Sequence, residues 1–364
     1  MRQTLFRIAF DQPWAFWATD AETGFPLVGI CILLLIVGVV WTAAQWWVDG
    51  RQWSRAHTRQ AGIWAAILIV LSIPGVTSLL PFRSLPVFGY GFMLLLGVMS
   101  GLALARRQAR LAGIDPDIMY DMGYWLVIPG IIGGRLAYLA QYGDHVFVDI
   151  SGRPLTGAAR LFAAVNLSQG GLVLIGALAG GAVGYFGFCA RRKIAPLPLA
   201  DVIVPSIFVG IGFGRLGCLL NGCCFGDACS LPWGLSFPAG SVPFEALVER
   251  GFVDRLAAGT MPLHPTQIYS SIDGFLLAFI TATYFRVRTR PGDVLALGCI
   301  LCAITRFLIE FLRNDEMGQL GTRFTISQFY SMGILAAGIG LAVYLRWSGS
   351  RGADRAGARP VMSA

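Results

Sequence analysis

Apolar residues in this chain are grouped into long runs, and short polar segments separate the runs. A transmembrane helix needs about 20 predominantly apolar residues. On this basis the sequence predicts nine membrane-spanning helices, at residues 26–46, 62–81, 87–105, 118–140, 170–190, 199–218, 272–287, 292–312 and 325–346. The expected fold class is therefore an all-α polytopic membrane protein. A transporter is not favoured, because the pattern contains no inverted pair of halves.

Basic residues between the predicted helices indicate an orientation. Clusters of arginine and lysine follow the first, third, fifth, seventh and ninth helices, as in Arg106-Arg107 after the third and Arg191-Arg192-Lys193 after the fifth. Because positively charged loops stay in the cytoplasm, we expect the N-terminus outside and the C-terminus inside. This alternation explains the net charge of +8. The expected partner is the lipid bilayer, and no nucleic acid is expected.

The composition supports a membrane protein. Of the 364 residues, 55% are hydrophobic and 13% are charged, whereas soluble domains carry roughly a quarter charged residues. Residues 219–271 are predicted to form a small extracytoplasmic cap with one or two short amphipathic helices, and residues 347–364 a disordered cytoplasmic tail. Residues 1–26 lack the apolar core of a cleavable signal peptide.

Several arginines lie in or at the ends of apolar runs, where an unpaired charge is costly. Arg215 ends the sixth predicted helix, and Arg135 lies in the fourth. Neither has an evident carboxylate partner in the sequence, and a guanidinium group matches the oxygens of a phosphate. The alternative for Arg215 is a snorkelling arginine at a helix end. Arg306 lies four residues before Glu310, so these two are expected to pair on one helical face.

Other candidates fall at the same predicted level of the membrane, near its outer surface. Tyr90 begins the third helix and His264 precedes the seventh. The alternative for Tyr90 is an interfacial aromatic residue with no role in a site. The alternative for His264 is a histidine that only makes hydrogen bonds at the interface. The glycines and the asparagine after Arg215 allow the backbone to turn closely around a ligand; they are Asn221, Gly222 and Gly226.

The eight cysteines favour neither a cofactor nor a metal. Most lie in apolar runs, where cysteine acts as a small hydrophobic residue. Cys223, Cys224 and Cys229 lie in a loop and could form a disulfide if that loop is outside. Adjacent cysteines lack the usual ligand spacing of a metal site, and the chain has only three histidines. We therefore expect no metal.

The order of these motifs resembles the bacterial prolipoprotein diacylglyceryl transferase family. The matching elements are GGRLxY, a helix opened by two glycines, GRLGxxxNGxxxG, HPTQxY and RFxIEFLRxDE. The resemblance runs from about Tyr90 to Ser331 and covers the last seven predicted helices. It implies a seven-helix transferase core at 85–346, preceded by an N-terminal extension with two membrane helices at 1–84.

The resemblance also implies an activity and a location in the bacterial cytoplasmic (inner) membrane. The diacylglyceryl group of phosphatidylglycerol would be joined to the lipobox cysteine thiol in the signal peptide of a preprolipoprotein, with release of glycerol phosphate. It implies that Arg215 holds the phosphate with Arg306 as helper, and that Asn221, Gly222 and Gly226 shape the site. Tyr90 and Glu310 match important residues of the family.

Four positions depart from the family pattern. Ile175 replaces a histidine proposed as the base, Cys218 an asparagine, Cys223 a glutamate, and Ser270 a glutamate after HPTQxY. The base is therefore open: His264, Tyr90 or water could take the thiol proton, since a free thiol has a pKa of about 8.5. The alternative function is a non-catalytic or divergent phospholipid-binding relative.

Overall fold

The computed structural model describes the chain from residue 84 onward with a few gaps. The described ranges are 84–148, 153–166, 171, 173–313, 322 and 324–357, with short pieces at 4–9, 24–26, 38–43, 46, 58, 62–63 and 65–66. The greater part of the first two predicted spans, at 26–46 and 62–81, lies outside the described residues. The predicted tail residues 358–364 also lie outside them.

The described part of the chain is mostly helical. Its helices are α1 (Gly89–Leu111), α2 (Ile118–Val146), α3 (Gly157–Val165), α4 (Leu174–Arg192), α5 (Pro196–Asn221), α6 (Val242–Glu249), α7 (Thr266–Tyr284), α8 (Asp293–Glu310) and α9 (Ile326–Gly357). Seven of them occupy the positions of the last seven predicted spans. α9 continues beyond the predicted end of its span, into the segment expected to be disordered.

A small sheet was not predicted from the sequence. Its strands are β1 (Thr4–Ala9), β2 (Gly24–Pro26) and β3 (Ser84–Phe88), in the order β2-β1-β3. β1 pairs in parallel with β2 and antiparallel with β3. β3 leads directly into α1.

Four of the described helices are long and apolar enough to cross a membrane. They are α1, residues 118–144 of α2, α5 and residues 326–348 of α9. Large apolar side chains on the helices are exposed, such as Val183 at 72% and Phe279 at 69%. Soluble proteins rarely expose apolar surface on this scale, whereas a lipid-facing helix requires it.

The chain divides into two compact units. The first contains residues 1–107 and 203–364, and the second contains residues 108–202. In the second unit, α2 and α4 pack through glycines at helical spacing: a Cβ added at Gly176, Gly180 or Gly184 would collide with the backbone of α2. Small residues that allow such close backbone approach are typical of membrane helix pairs. The backbone break in α2 is at Tyr142, with φ −125° and ψ 15°, although Pro129 also lies inside this helix.

In the first unit, α5 contacts both α1 and α7. A Cβ at Gly101 of α1 would lie 3.1 Å from the carbonyl oxygen of Ser206. On α7, Ser271 donates a hydrogen bond of 2.9 Å to the carbonyl of Gly212. α8 packs on α7 and α9. α5 thus contacts α1, which carries Tyr90, and α7, which begins two residues after His264.

The segment between α5 and α7, predicted as the cap, has its own small core. Phe225, Phe237, Leu247 and Leu263 form a buried apolar cluster. The segment contains one helix, α6, and isolated bridges such as Leu235–Leu263. Its last residues run back towards α7 and carry His264.

Candidate functional site

Arg215 lies one and a half turns before the end of α5. Its side chain is partly buried, and it forms no hydrogen bond or ion pair with the residues that the structure describes. A guanidinium group has five N–H donors and keeps its charge. Arg215 can therefore bind an anion without first giving up a hydrogen bond or ion pair to the described residues.

Arg306 and Glu310 form the pair expected from their spacing. Arg306 Nη2 lies 2.9 Å from Glu310 Oε2, and the carboxylate is almost fully buried. Glu310 Oε1 accepts a hydrogen bond of 3.0 Å from the hydroxyl of Thr325, which precedes α9. Arg306 Nη2 is also 3.2 Å from Ser327 Oγ. The prediction of this ion pair is confirmed.

One atom of Arg306 is left without a partner. Its Nη1 is buried and has no hydrogen bond among the described residues. Leaving a buried charged donor unpaired is costly, by at least about 1–3 kcal/mol. Arg306 therefore has an unused donor in addition to Nη2, which faces Glu310 and donates to Ser327.

Arg313 brings a third guanidinium group to this region. Its Nε lies 3.9 Å from Glu310 Oε2, so one carboxylate faces both Arg306 and Arg313. The charges of Arg215 and Arg313 both act on Arg306. Arg306 and Arg313 thus share one buried carboxylate, and Arg215, which lies within electrostatic range of Arg306, has no ion pair among the described residues. This local excess of positive charge suits a phosphate group.

Three thiols lie beside Arg215. The Sγ atoms of Cys218, Cys223 and Cys224 are all within 4.8 Å of one another. Cys218 belongs to the last turn of α5, and the other two follow the turn at Gly222. Hydrogen bonds from the thiols of Cys218 and Cys223 lower the pKa of Cys224, and the positive charges of Arg313 and Arg215 lower it further.

The HPTQ motif holds this turn in place. Thr266 Oγ1 donates a hydrogen bond of 2.8 Å to the carbonyl of Cys224, and Gln267 Nε2 donates one of 2.9 Å to the carbonyl of Cys223. Both Thr266 and Gln267 are fully buried. The backbone at Cys224 has φ 61°, a left-handed conformation that few residues other than glycine adopt. The motif therefore fixes an unusual turn next to Arg215.

The asparagine and glycines after Arg215 form the same turn. Asn221 ends α5, immediately before the turn. Gly222 has φ 82°, which glycine adopts at little cost. Gly226 donates its backbone N–H to the carbonyl of His264 at 3.0 Å. A Cβ at Gly226 would lie only 2.6 Å from the carbonyl oxygen of Leu312. These residues shape the turn, and their contact with substrate stays a prediction.

The structure brings Tyr90 to the same region. Tyr90 is the second residue of α1 and packs on Gly217 of α5, where an added Cβ would lie 3.0 Å from Tyr90 Cδ2. The charge of Arg215 and the three thiols all act on its phenol. The ring is 43% exposed. Tyr90 is therefore both accessible and close to Arg215.

The side chain of His264 contacts Tyr269. Its Nδ1 is 3.4 Å from the hydroxyl of Tyr269, which also accepts a hydrogen bond of 2.7 Å from Trp233 Nε1. Its backbone N–H donates to the carbonyl of Asp227 at 2.9 Å. His264 is thus tied into the segment between α5 and α7, and a role in proton transfer stays a prediction.

Arg135 has partners that the sequence did not reveal. Its Nε and Nη2 donate to the carbonyls of Ala164 and Ala163, at 2.8 and 2.7 Å, and its Nη1 donates to the carbonyl of Gly171 at 3.1 Å. The guanidinium group also lies 5.2 Å from the ring centre of Tyr138. The sequence offered no evident carboxylate partner for Arg135, and in the structure backbone carbonyls accept its hydrogen bonds instead. Its binding of substrate stays a prediction.

Sequence reasoning missed how Cys218, Cys223 and Cys224 come together. In the sequence, the adjacent Cys223 and Cys224 lack the usual spacing of metal ligands, whereas in the structure Cys218 reaches this pair from the preceding helix. The described cysteines are free thiols, including Cys229. The HPTQ motif is the feature of the sequence that relates to this cluster. Its threonine and glutamine are buried and donate hydrogen bonds to the carbonyls of Cys224 and Cys223. Ile175, at the position of the family histidine, is 52% exposed near the start of α4.

Comparison with known proteins identifies the family. The sequence model described as prolipoprotein diacylglyceryl transferase matches residues 77–344. A phosphatidylglycerol–prolipoprotein diacylglyceryl transferase of Clostridium tetani is 34% identical and aligns with 70% of this chain and 92% of its own length. One from Clostridium perfringens is 35% identical and aligns with 70% of this chain and 90% of its own length. The chain belongs to the prolipoprotein diacylglyceryl transferase family, as the resemblance in its sequence indicated.

A relative from Rhodopirellula baltica aligns with more of this chain than the two clostridial relatives do. It carries the same name, is 28% identical, and aligns with 96% of this chain and 90% of its own length. The two clostridial relatives align with 70% of this chain. The part of this chain beyond the matched core therefore has a counterpart in at least one relative.

Proposed function

We propose that this protein transfers the diacylglyceryl group of phosphatidylglycerol to the lipobox cysteine of a preprolipoprotein. The observation that carries this proposal is Arg215, a guanidinium group of the family motif without a hydrogen bond or ion pair among the described residues. Arg306, with its unused Nη1, lies within electrostatic range. Together they provide donors for the phosphate of an anionic lipid. The names of the relatives give the same two substrates.

In the proposed reaction, the cysteine thiolate attacks the glyceryl carbon that is bonded to the phosphate oxygen. A carbon–sulfur bond forms and the carbon–oxygen bond breaks. The electron pair of the broken bond stays on the phosphate oxygen, so glycerol phosphate leaves with an additional negative charge. Fixed positive groups that face this developing charge lower the barrier. Arg215 and Arg306 would supply that stabilisation, and the glycines after Arg215 would let the substrate approach the backbone.

The thiol proton needs an acceptor. Tyr90 lies within electrostatic range of Arg215, whereas the imidazole of His264 contacts Tyr269. This placement favours Tyr90 over His264 as the side chain close to the reacting groups. Direct loss of the proton to water remains the third route, because the reacting thiol titrates near ambient pH.

Phosphatidylglycerol is a membrane lipid, and the proposal therefore includes an arrangement in the bacterial cytoplasmic membrane. Nine spans, an external N-terminus and a cytoplasmic C-terminus would place Arg215 and Tyr90 near the outer leaflet. The alternating basic clusters support this orientation. Fusing a periplasmic reporter enzyme after Arg192 and after Arg255 tests it: activity is expected only at the second position.

The activity test uses purified full-length protein in detergent micelles. A lipobox peptide with its cysteine is incubated with phosphatidylglycerol, and peptide mass is measured over time. We expect a mass gain of one diacylglyceryl group, and no gain with a Cys→Ser peptide or with phosphatidylethanolamine as the lipid. The non-catalytic alternative, motivated by Ile175, Cys218 and Cys223, predicts phosphatidylglycerol binding without peptide modification. That result would refute the transferase proposal, provided that a family enzyme is active in the same assay.

A further inference from the structure

The three thiols at the end of α5 are already close to the geometry of a metal site. The Sγ atoms of Cys218, Cys223 and Cys224 all lie within 4.8 Å of one another. A zinc–thiolate bond is about 2.3 Å long, which places two sulfur ligands of a tetrahedral ion about 3.8 Å apart. Side-chain adjustments of about 1 Å are therefore enough to bring the three sulfurs onto one ion.

The backbone around these thiols is fixed by buried groups. Thr266 and Gln267 hold the carbonyls of Cys224 and Cys223, and the N–H of Cys223 donates to the carbonyl of Cys218 at 3.1 Å. Cys224 has a left-handed backbone, with φ 61°. This arrangement directs three separate side chains to one place. Because the backbone already holds these side chains in place, less conformational entropy is lost when they bind an ion.

Charge and an unused oxygen favour an ion at this position. Three thiolates around one divalent ion carry a net charge of minus one, and the positive charges of Arg313 and Arg215 act on Cys224. Gln267, fully buried, hydrogen-bonds to Cys223 through Nε2, and its Oε1 has no partner among the described residues. Gln267 Oε1, or a water bound to it, is the candidate fourth ligand.

We propose that Cys218, Cys223 and Cys224 bind a thiophilic divalent cation of the zinc class. Zinc takes three sulfur ligands and a fourth ligand in tetrahedral geometry. The bound ion would join the end of α5 to the turn that follows it, next to Arg215. The proposed transferase reaction needs no metal, so the metal site does not rest on it.

The test measures metal binding directly. Full-length protein in detergent is reduced, incubated with zinc chloride, desalted and analysed for metal and protein content, and one zinc ion per chain is expected. Titration with cadmium should give a thiolate-to-metal charge-transfer band in the ultraviolet. Changing Cys218, Cys223 or Cys224 to Ser should each weaken zinc binding by at least about tenfold, which is the lower end of the loss seen on removing outer-shell partners of metal ligands. Cys229→Ser, a buried cysteine of the same loop, should bind zinc as the wild type does.

A second measurement avoids any dependence on how the variants fold. Wild-type protein is alkylated with N-ethylmaleimide in the presence and absence of zinc, and each cysteine is quantified by mass spectrometry. Zinc should protect Cys218, Cys223 and Cys224 and leave the alkylation of Cys229 unchanged. The proposal is overturned if the protein retains no zinc, if protection is spread evenly over the cysteines, or if two of the three thiols are isolated as a disulfide that zinc does not prevent. None of these readouts involves lipid or peptide, so they are separate from the test of the transferase.

Discussion

Arg135 and Arg215 have the same immediate sequence, Gly-Arg-Leu, in two different units of the molecule. Arg135 gives its donors to three backbone carbonyls and is 9% exposed. Arg215 forms no hydrogen bond or ion pair among the described residues. The three residues of the motif are therefore insufficient to assign a role to the arginine. Its surroundings decide whether the charge stabilises the fold or stays available for a ligand.

The surroundings differ for a physical reason. Arg135 lies opposite the C-terminal end of α3, where the carbonyls of a helix lack partners within the helix. A cation there satisfies the backbone. Near Arg215 the nearby groups are two further arginines and three thiols, and the carboxylate of Glu310 pairs with Arg306. The carbonyls around Arg135 neutralise its charge within the protein. The groups around Arg215 leave an excess of positive charge that can bind an anion.

The largest expected effect is at Arg215. Arg215→Ala should lower the rate of peptide lipidation by roughly 10²–10³-fold, the usual range for losing one group that stabilises transition-state charge. The melting temperature should stay near that of the wild type, because Arg215 has no hydrogen bond or ion pair to lose among the described residues. Arg215→Lys should retain part of the activity, since it keeps the charge without the planar fork. The matched control is Arg286→Ala, an exposed arginine between α7 and α8.

The contrast between Arg215 and Arg135 holds only if Arg215→Ala both loses lipidation activity and keeps the wild-type melting temperature. If Arg215→Ala turns over phosphatidylglycerol at the wild-type rate, Arg215 is not part of the site. A large fall in melting temperature would instead show that Arg215 has a structural role like that of Arg135.

Much of the helical framework could be predicted from the sequence. The predicted span 199–218 corresponds to α5 at 196–221, and 292–312 corresponds to α8 at 293–310. The pairing of Arg306 with Glu310 followed from helical spacing alone, because both partners lie on one helix. Apolar runs and spacing within a helix are local properties, and they can be read directly from the chain.

The partners of Arg135 and the cysteine cluster could not be predicted in this way. The carbonyls that bind Arg135 belong to residues 28 to 36 positions further along the chain, and every residue has a carbonyl. Cys218 joins Cys223 and Cys224 only because Gly222 and Cys224 adopt left-handed backbone conformations. Such contacts depend on tertiary packing, and no local pattern records them.

The next largest effect is expected at Glu310. Glu310→Gln removes the carboxylate from a buried pair and leaves the Arg306 guanidinium uncompensated, which typically costs about 3–5 kcal/mol. We expect a clear fall in melting temperature in detergent. Glu249→Gln, an exposed glutamate at the end of α6, is the control. An unchanged melting temperature would show that Arg306 does not depend on this carboxylate and resembles Arg215.

The opposite behaviour from Arg215 is expected at Arg135. Arg135→Ala leaves the carbonyls of Ala163, Ala164 and Gly171 without their donor, at a cost of about 1–3 kcal/mol. The melting temperature should fall, while the lipidation rate per folded molecule stays near the wild-type value. Arg191→Ala, an exposed arginine at the end of α4, should change neither. If Arg135→Ala abolishes lipidation and leaves the melting temperature unchanged, Arg135 contacts the substrate and the contrast with Arg215 disappears.

The smallest effect is expected at Thr266, which holds the turn beside Arg215 without carrying charge. Thr266→Val keeps the shape of the side chain and removes the hydrogen bond to the carbonyl of Cys224. A neutral hydrogen bond contributes about 1 kcal/mol, so lipidation should fall by about fivefold or less; Thr283→Val, exposed on the same helix, should have no effect. A loss as large as that of Arg215→Ala would mean that the position of the turn matters as much as the charge. The distinction between the two arginines would then rest on backbone geometry rather than on the available guanidinium group.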